Sequence, residues 1–314
     1  MIFDISKIYR YNRVMDFDHY RVFYYVGKYK SVTLAAQELF TSQPAVTRTI
    51  KTLEHELSCR LFIRSKKGME LTHEGEVLFE YVSASFNQLE KGESEIRRNT
   101  STKEGSITIG ATVTALDEFL FSFIKEFHIN NPYIKFRIVS ESTNNTLNKL
   151  RTGVIDVALI TTPYHTFEDV EYIKVGKFKN VIVAGNEFQD LKNRTVSVSE
   201  LHNYPFIAMN QKTQLREYTD SFFLTHSIPI SPTVQVDNAG LIIPFVRNNL
   251  GVAIVPYSLA KGSINRDEMF VIKTKEEIPD RYVYMVISKA LPLSNATKTF
   301  VKEVKEKNKK ESPE

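Results

Sequence analysis

The stretch Ser31-Val32-Thr33-Leu34-Ala35-Ala36-Gln37-Glu38-Leu39-Phe40-Thr41-Ser42-Gln43-Pro44-Ala45-Val46-Thr47-Arg48-Thr49-Ile50-Lys51-Thr52-Leu53-Glu54 decides how the N-terminal part of the chain is read. Its second half writes one helix. Pro44 stands early, where a missing N–H costs little, and Val46, Ile50, Leu53 and Leu57 follow at spacings of four, three and four as one buried stripe. Ser42 is placed to cap it. Upstream, Ser31 or Thr33 can cap a shorter helix whose Ala35, Ala36 and Leu39 offer a small-residue packing face. Further upstream, Phe17, Tyr20, Phe23 and Val26 recur every three residues on a helix ending near Gly27. Three short helices, the second and third tightly connected, predict a helix-turn-helix.

Opposite the buried stripe of the third helix lie Gln43, Thr47, Arg48 and Lys51, and no Asp or Glu occurs between Thr41 and Leu53. A helix laid in a DNA groove needs hydrogen-bonding side chains near its N-terminus and positive charge for phosphates. Leu61-Phe62-Ile63 and Met69-Glu70-Leu71 then flank Arg64-Ser65-Lys66-Lys67-Gly68, a hairpin with a basic tip that would form a wing. From Thr72 to about Arg98 a long helix is predicted, with Thr72 as N-cap and Glu74 and Glu76 in the first turn. Leu78, Tyr81, Val82, Phe86, Leu89 and Ile96 make its roughly heptad-spaced apolar face. The small domain alone cannot bury so long a helix, and the simplest partner is its twin in a second chain. Asn99 to Gly105 is polar and aperiodic, a hinge.

Beyond the hinge, strands are expected at Ile107–Ala111, Ile134–Glu141 and Val154–Ile160, with helices at Leu116–Asn130 and Thr146–Thr152 between them. Such alternation predicts right-handed crossovers and a parallel sheet. A second set follows, with strands near Val181–Ala184, Pro205–Met209 and Thr233–Val236 and helices near Leu215–His226 and Ala239–Asn249. The strand Tyr282–Ser288 and helix Asn295–Lys305 are expected to return to the first lobe, leaving 306–314 as a charged, disordered tail. The fold class is thus α/β with an all-α N-terminal part.

Composition narrows the function classes. At 314 residues, and about 150 per domain, two domains are the expectation, with room for a small third. With 42% hydrophobic and 25% charged residues the chain reads as globular, and no apolar run nears the ~18 residues of a membrane span. Met1 to Val14 carries Lys7, Arg10 and Arg13 but no apolar core or cleavage site of a secretory signal, so a cytoplasmic location is expected. The single cysteine, Cys59, forms no disulfide within the chain, and the seven histidines form no His-x-x-x-His or Cys/His set for a metal. His55 and Cys59 share an i, i+4 spacing, for which helix packing is a better account than a nucleophile pair. No enzyme activity, cofactor or metal is expected. The net charge of +4 is compatible with nucleic acid without arguing for it.

Taken together, Ser31-Val32-Thr33-x-Ala35-Ala36-x-x-Leu39-x-x-Ser42-Gln43-Pro44-Ala45-Val46-Thr47-x-x-Ile50-x-x-Leu53-Glu54, Leu61-Phe62-x-Arg64 and Leu71-Thr72-x-x-Gly75 resemble the signature of the LysR-type family of bacterial transcriptional regulators. Weaker likenesses are Asn131-Pro132, Gly153-x-x-Asp156-x-Ala158 and Leu250-Gly251-x-Ala253-x-x-Pro256. Two departures stand out. Ser58 occupies a position the family usually gives to glycine. Residues 1–14 precede the family's usual start, with Met15 the more natural initiator, and they read as a mis-started or vector-derived segment or as a native basic arm.

The resemblance implies a winged helix-turn-helix over 15–72, a dimerising linker helix and hinge over 73–105, and a two-lobed, periplasmic-binding-protein-like α/β effector domain over 106–305. Lobe I would take about 106–178 and 266–305, and lobe II about 179–265. It implies double-stranded DNA, a small-molecule effector, a homodimer and a homotetramer as partners, with RNA polymerase as a further contact. It assigns base-edge contacts to Gln43, Pro44, Thr47 and Arg48, and phosphate contacts to Thr33, Arg64, Lys66 and Lys67, with Lys51 on the same DNA face; for Lys66 and Lys67 a solvated wing tip accounts for the residues equally well. Leu78, Val82, Phe86 and Leu89 are the expected dimer seam.

For the effector, the cleft should be built from strand ends and helix N-termini, which favour anions. Thr112 and Thr114 follow the first strand, Ser142 and Thr143 the second, and Thr161, Asn210, Thr213, Asp237 and Asn238 hold corresponding positions. Helix capping explains each of these individually just as well, and only their convergence favours a site for a small anionic metabolite. The alternative from another class is a solute-binding or enzymatic α/β protein with an incidental N-terminal appendage, whose function would survive deletion of residues 1–99.

Overall fold

Each of the three N-terminal helices begins at a side chain that caps it. Asp16 accepts from Asp18 N at 3.0 Å to start α1 (Phe17–Tyr29), Ser31 from Leu34 N at 3.3 Å to start α2 (Val32–Glu38), and Ser42 from Ala45 N at 3.3 Å to start α3 (Gln43–Leu57). Ser31, not Thr33, is therefore the cap of the second helix. These elements come from a computed structural model that describes residues 16–65, 68–97 and 105–311. The extension 1–14, the wing-tip Lys66 and Lys67, and the hinge before Gly105 lie outside the described residues. The described chain divides into two units between Glu90 and Lys91.

In the first unit, Phe23, Val26, Ala35, Ala36, Val46, Ile50, Leu53 and Leu61 form the core. The stripe read from the sequence of α3 is the stripe that is buried, with Leu57 packed at its edge. Helix α3 ends at Ser58, which adopts φ 54° and ψ 31°. This left-handed conformation explains why glycine is favoured there. The wing follows as the antiparallel pair β1 (Phe62–Ser65) and β2 (Gly68–Leu71), with Phe62 opposite Leu71 and Arg64 opposite Met69. Glu54 ties wing to helix: its Oε1 accepts from Leu61 N at 2.7 Å and Phe62 N at 3.2 Å.

Thr72 caps α4 (His73–Arg97) by accepting from Gly75 N at 3.0 Å, and it donates to Arg60 O at 2.7 Å. Gly75 is required because a Cβ there would stand 2.1 Å from Leu61 O. The apolar face of α4 expected at the dimer seam is partly occupied within its own chain. Val82 is buried, and Leu78 and Phe86 pack against the same core, where the Phe86 ring stacks on Tyr24 at 4.9 Å. Of the four seam residues only Leu89 stays exposed, together with Val77, Tyr81 and Ile96. The heptad pattern merges two faces, and the helix's own domain claims one of them.

In the second unit, a five-stranded sheet of order β4-β3-β5-β13-β6 makes lobe I: β3 (Gly105–Ala111), β4 (Ile134–Ser140), β5 (Val157–Thr161), β6 (Val170–Phe178) and β13 (Arg281–Ser288). The pairs of β3 with β4 and β5 are parallel, as the crossovers predict. Strand β13 runs antiparallel to both β5 and β6, so the sheet is mixed. Strand β6 was not read from the sequence. Its alternation is masked by Lys174 and Lys177, the latter paired with Asp280.

Helices pack on this sheet. The segment α5 (Val113–Ala115) continues through a π-helical turn over Leu116–Leu120 into α6 (Phe121–Asn130), and α7 (Thr143–Arg151) follows β4. Phe119, Phe123, Phe127 and Phe300 fill the core between α6 and the sheet.

Lobe II is a sheet of order β11-β7-β12-β8, built from β7 (Asn180–Gly185), β8 (Thr195–Val196), β11 (Ala253–Pro256) and β12 (Met269–Thr274). Beside it lies the parallel pair β9 (Ile207–Met209) and β10 (Val234–Val236), with helices α8 (Gln214–Thr225), α9 (Ile242–Arg247) and α10 (Tyr257–Asn265). Here the expected lobe boundary is wrong. Strand β12 pairs with β7, so residues 269–274 belong to lobe II and the chain returns to lobe I only at β13.

The terminal helix α11 (Asn295–Glu311) also exceeds its expected end at Lys305. Residues 306–311 are helical rather than a disordered tail. Lys and Glu are good helix formers, and the last turns are tied down by Lys307 to Glu126 at 2.8 Å and Asn308 Nδ2 to Lys174 O at 2.5 Å. Among the described residues no helix is long and apolar enough to cross a membrane.

Candidate functional site

The exposed side of α3 carries the first site. Because its buried stripe faces α1 and α2, Gln43, Pro44, Thr47, Arg48 and Lys51 are left on one solvent-facing groove, joined by Thr52 and His55. Neither Arg48 nor Lys51 forms an ion pair with a described residue, and the same holds for exposed Arg64 on β1. Unpaired cations on one face suit a polyanion, which can replace their hydration without competing with an internal carboxylate. The Thr47 hydroxyl donates to Gln43 O at 3.0 Å, so its lone pairs and methyl remain to meet a base edge. Exposed Thr33 sits in the first turn of α2. Lys66 and Lys67 lie outside the described residues.

The second site lies within the second unit, where the strand ends of the two lobes meet in a cavity of about 120 Å3. Eight of the nine residues expected for the effector line it: Thr112, Thr114, Ser142, Thr143, Thr161, Thr213, Asp237 and Asn238. Asn210 does not. It sits in the turn before α8, where its carbonyl accepts from the Thr213 hydroxyl at 3.0 Å, so it shapes the loop instead of lining the cavity.

Capping and lining turn out to be the same act. Ser142 accepts from Asn145 N at 3.4 Å, Thr213 from Arg216 N at 3.2 Å, Thr112 from Ala115 N at 3.3 Å and Asn238 from Gly240 N at 2.8 Å, while each also faces the cavity. The N-termini of α7 and α8 therefore point their dipoles into one space.

The sequence reading missed Gln214 and Arg281. Arg281, at the start of β13, is 2% exposed, and it donates from Nε to Thr162 O at 2.6 Å and from Nη2 to the Thr161 hydroxyl at 3.0 Å. Its Nη1 has no partner, and no carboxylate pairs with it among the described residues. Burial lowers its pKa to about 10, opposed by Tyr218, whose ring lies 4.7 Å from the guanidinium carbon; it remains a cation at neutral pH. The neighbouring buried arginine, Arg216, offers a contrast. Its Nε meets Asp220 at 2.7 Å and its Nη1 meets Met209 O at 3.1 Å, so it is satisfied within the fold. Gln214, 3% exposed in the first turn of α8, has neither its amide nitrogen nor its amide oxygen paired.

Both residues line the cavity, with Glu141, Met209 and Leu215. Nothing in the sequence marked Arg281. A charged residue after Pro279-Asp280 reads as a solvated turn, and only the β5–β13 pairing brings it beneath Thr161.

Known proteins place the chain in context. Residues 17–76 match the family described as "Bacterial regulatory helix-turn-helix protein, lysR family", and residues 100–309 match "LysR substrate binding domain". The Uncharacterized HTH-type transcriptional regulator YvbU of Bacillus subtilis (strain 168) is 26% identical over 287 residues, covering 91% of this chain and 96% of that protein. Among solved structures, full-length CbnR complexed with its target DNA overlays with a TM-score of 0.68 at 16% identity, over 93% of this chain and 99% of that one. The effector-binding domain of QuiR in complex with shikimate overlays with a TM-score of 0.59 at 21% identity, over 66% of this chain and 98% of that domain. With the winged helix-turn-helix and the two-lobed domain both matched, and the second match alone spanning more than half of the 314 residues, the chain belongs to the LysR family of DNA-binding transcriptional regulators with an effector-binding domain.

Proposed function

We infer that the protein acts in the cytoplasm as a ligand-responsive regulator that binds a partly palindromic promoter site as a homodimer and, from two dimers, a homotetramer. Gln43, Pro44, Thr47 and Arg48 read base edges in the major groove, while Thr33, Lys51, Arg64 and the wing-tip Lys66 and Lys67 hold phosphates. The observation that carries this reading is the groove on α3, where the cations pair with nothing described and the polar side chains face outward. The linker helix α4 supplies the dimer contact through exposed Val77, Tyr81, Leu89 and Ile96. The effector is a small anionic metabolite bound between the lobes. Its differential affinity for two arrangements of the domain changes the spacing and bend of the DNA, and so the access of RNA polymerase.

The test is fluorescence anisotropy of the full chain on its own upstream DNA and on a scrambled duplex, across a salt series. Tight, salt-sensitive binding that prefers the upstream DNA supports the reading. Equal binding to both duplexes, with and without cell metabolite extract, refutes it.

A further inference from the structure

We propose that the interlobe cavity is built for a compact monocarboxylate that also carries a hydrogen-bond donor, such as a hydroxyl or an ammonium group, and that Arg281 and Gln214 are its anchors. This rests on the effector reading above and specifies its ligand class. A buried guanidinium without a carboxylate partner is costly, and at Arg281 two neutral acceptors and the rings of Phe178 and Tyr218 relieve that cost only in part, leaving Nη1 unpaired, whereas Arg216 has Asp220. Arg281 Nη1 and Gln214 Nε2 are two unspent donors on one cavity wall system, suited to the oxygens of a carboxylate. Gln214 Oε1 is an unspent acceptor, and it calls for a donor on the same ligand.

The charge pattern limits the ligand to one negative group. Of the cavity's lining residues Arg281 is the sole cation, and the other charged groups are carboxylates: Glu141, paired with Lys149, and exposed Asp237. A phosphate or dicarboxylate would set its second charge against those carboxylates. The remaining lining is dominated by hydroxyls, from Thr112, Thr114, Thr143 and Thr161 among others, which match a polar ligand body better than a large apolar one.

The experiment is a thermal-shift titration of the full chain with lactate, alanine, propionate, succinate and inorganic phosphate, each to about 100 mM, a hundredfold excess over a millimolar Kd. Lactate or alanine should raise the unfolding midpoint more than propionate, which lacks the donor, and succinate and phosphate should raise it least. Arg281→Met should abolish the shift. Gln214→Leu should remove the preference over propionate while raising the midpoint of the ligand-free protein, because it deletes a buried unpaired amide. Arg281→Lys, checked by circular dichroism, guards against a folding artefact.

A larger Arg281-dependent shift from phosphate or succinate overturns the ligand class. A shift that survives both Arg281→Met and Gln214→Leu, or no Arg281-dependent shift from any probe, overturns the anchors. Upstream-DNA anisotropy on the same samples separates the two readings: selective DNA binding without a carboxylate response sinks this proposal alone, whereas loss of selectivity in the unaltered chain sinks the regulator.

Discussion

Glu54 is a single carboxylate on which the placing of the wing depends, and its removal has a calculable effect. One oxygen accepts from both Leu61 N and Phe62 N, at 2.7 and 3.2 Å, where the two side chains enter the core. A hydrogen bond to a charged group contributes about 1.5–3 kcal/mol, and the longer of the two falls at or below the lower end. Glu54→Ala should therefore weaken the closed state of the wing by about 3 kcal/mol in all. At about 1.4 kcal/mol per factor of ten, that is on the order of a 100-fold rise in local opening.

Glu54→Gln keeps a neutral acceptor and should lose about 1 kcal/mol, on the order of fivefold. Hydrogen exchange of the peptide spanning residues 60–72 in the full chain reads both numbers without assuming that two units unfold together. Because Arg64 rides on β1, the same variants should weaken DNA binding in the same order. Unchanged exchange at Leu61 and Phe62 in Glu54→Ala would falsify the claim that this carboxylate holds the wing to α3.

Further outcomes are expected elsewhere. Ser58→Gly should stabilise the first unit by about 0.5–1 kcal/mol, because it relieves a left-handed residue; slower hydrogen exchange at the end of α3 is the readout, and faster exchange contradicts it. Arg64→Ala should flatten the slope of log K against log salt by about 0.9, one lost phosphate contact, whereas Arg48→Ala should reduce discrimination between upstream and scrambled DNA. An unaltered slope or unaltered discrimination removes the residue from its assigned role. Leu89→Asp should yield folded monomers by sedimentation, while Val82→Asp should unfold the first unit because Val82 is buried; folded dimers in both cases refute the outward face of α4.

Glu118 gives a pH test. Burial raises its pKa above the ordinary carboxylate value despite the hydrogen bond from Ser258 at 2.6 Å. A raised folded-state value means that its contribution to stability is present at low pH and lost as pH rises through that value. Glu118→Gln should remove this part of the decline, visible as midpoint-against-pH curves that diverge as pH rises above the ordinary carboxylate range; parallel curves contradict the assignment.

How far the sequence could be read follows from the range of the forces involved. The stripe Val46, Ile50, Leu53 and the caps Ser42 and Thr72 are local patterns, and they appear in the fold where the spacing puts them. Strand β12 and the return to lobe I depend on which distant strand offers an edge, which no window of the sequence contains. The face of α4 is hard to read for a related reason: Leu78, Val82 and Phe86 are apolar at the spacing of a seam, and the same pattern serves to pack them on the core of their own unit. Eight cavity residues were legible because strand ends and helix starts have strong sequence marks. Arg281 was illegible because a buried cation and a solvated one are written with the same letter.

That last distinction bears on how the cavity works. Thr112, Ser142, Thr213 and Asn238 are needed to start helices whether or not a ligand binds, so their presence alone could never separate a site from a set of caps. Arg281 and Gln214 differ, since each leaves buried polar atoms unpaired that a better-satisfied fold would have paired or replaced. The stabilising caps and the costly unpaired groups share one cavity wall. A ligand that satisfies the unpaired groups gains free energy only in arrangements that keep β13, α8 and the strand ends together, and that difference is what a binding event needs in order to shift an equilibrium between two states.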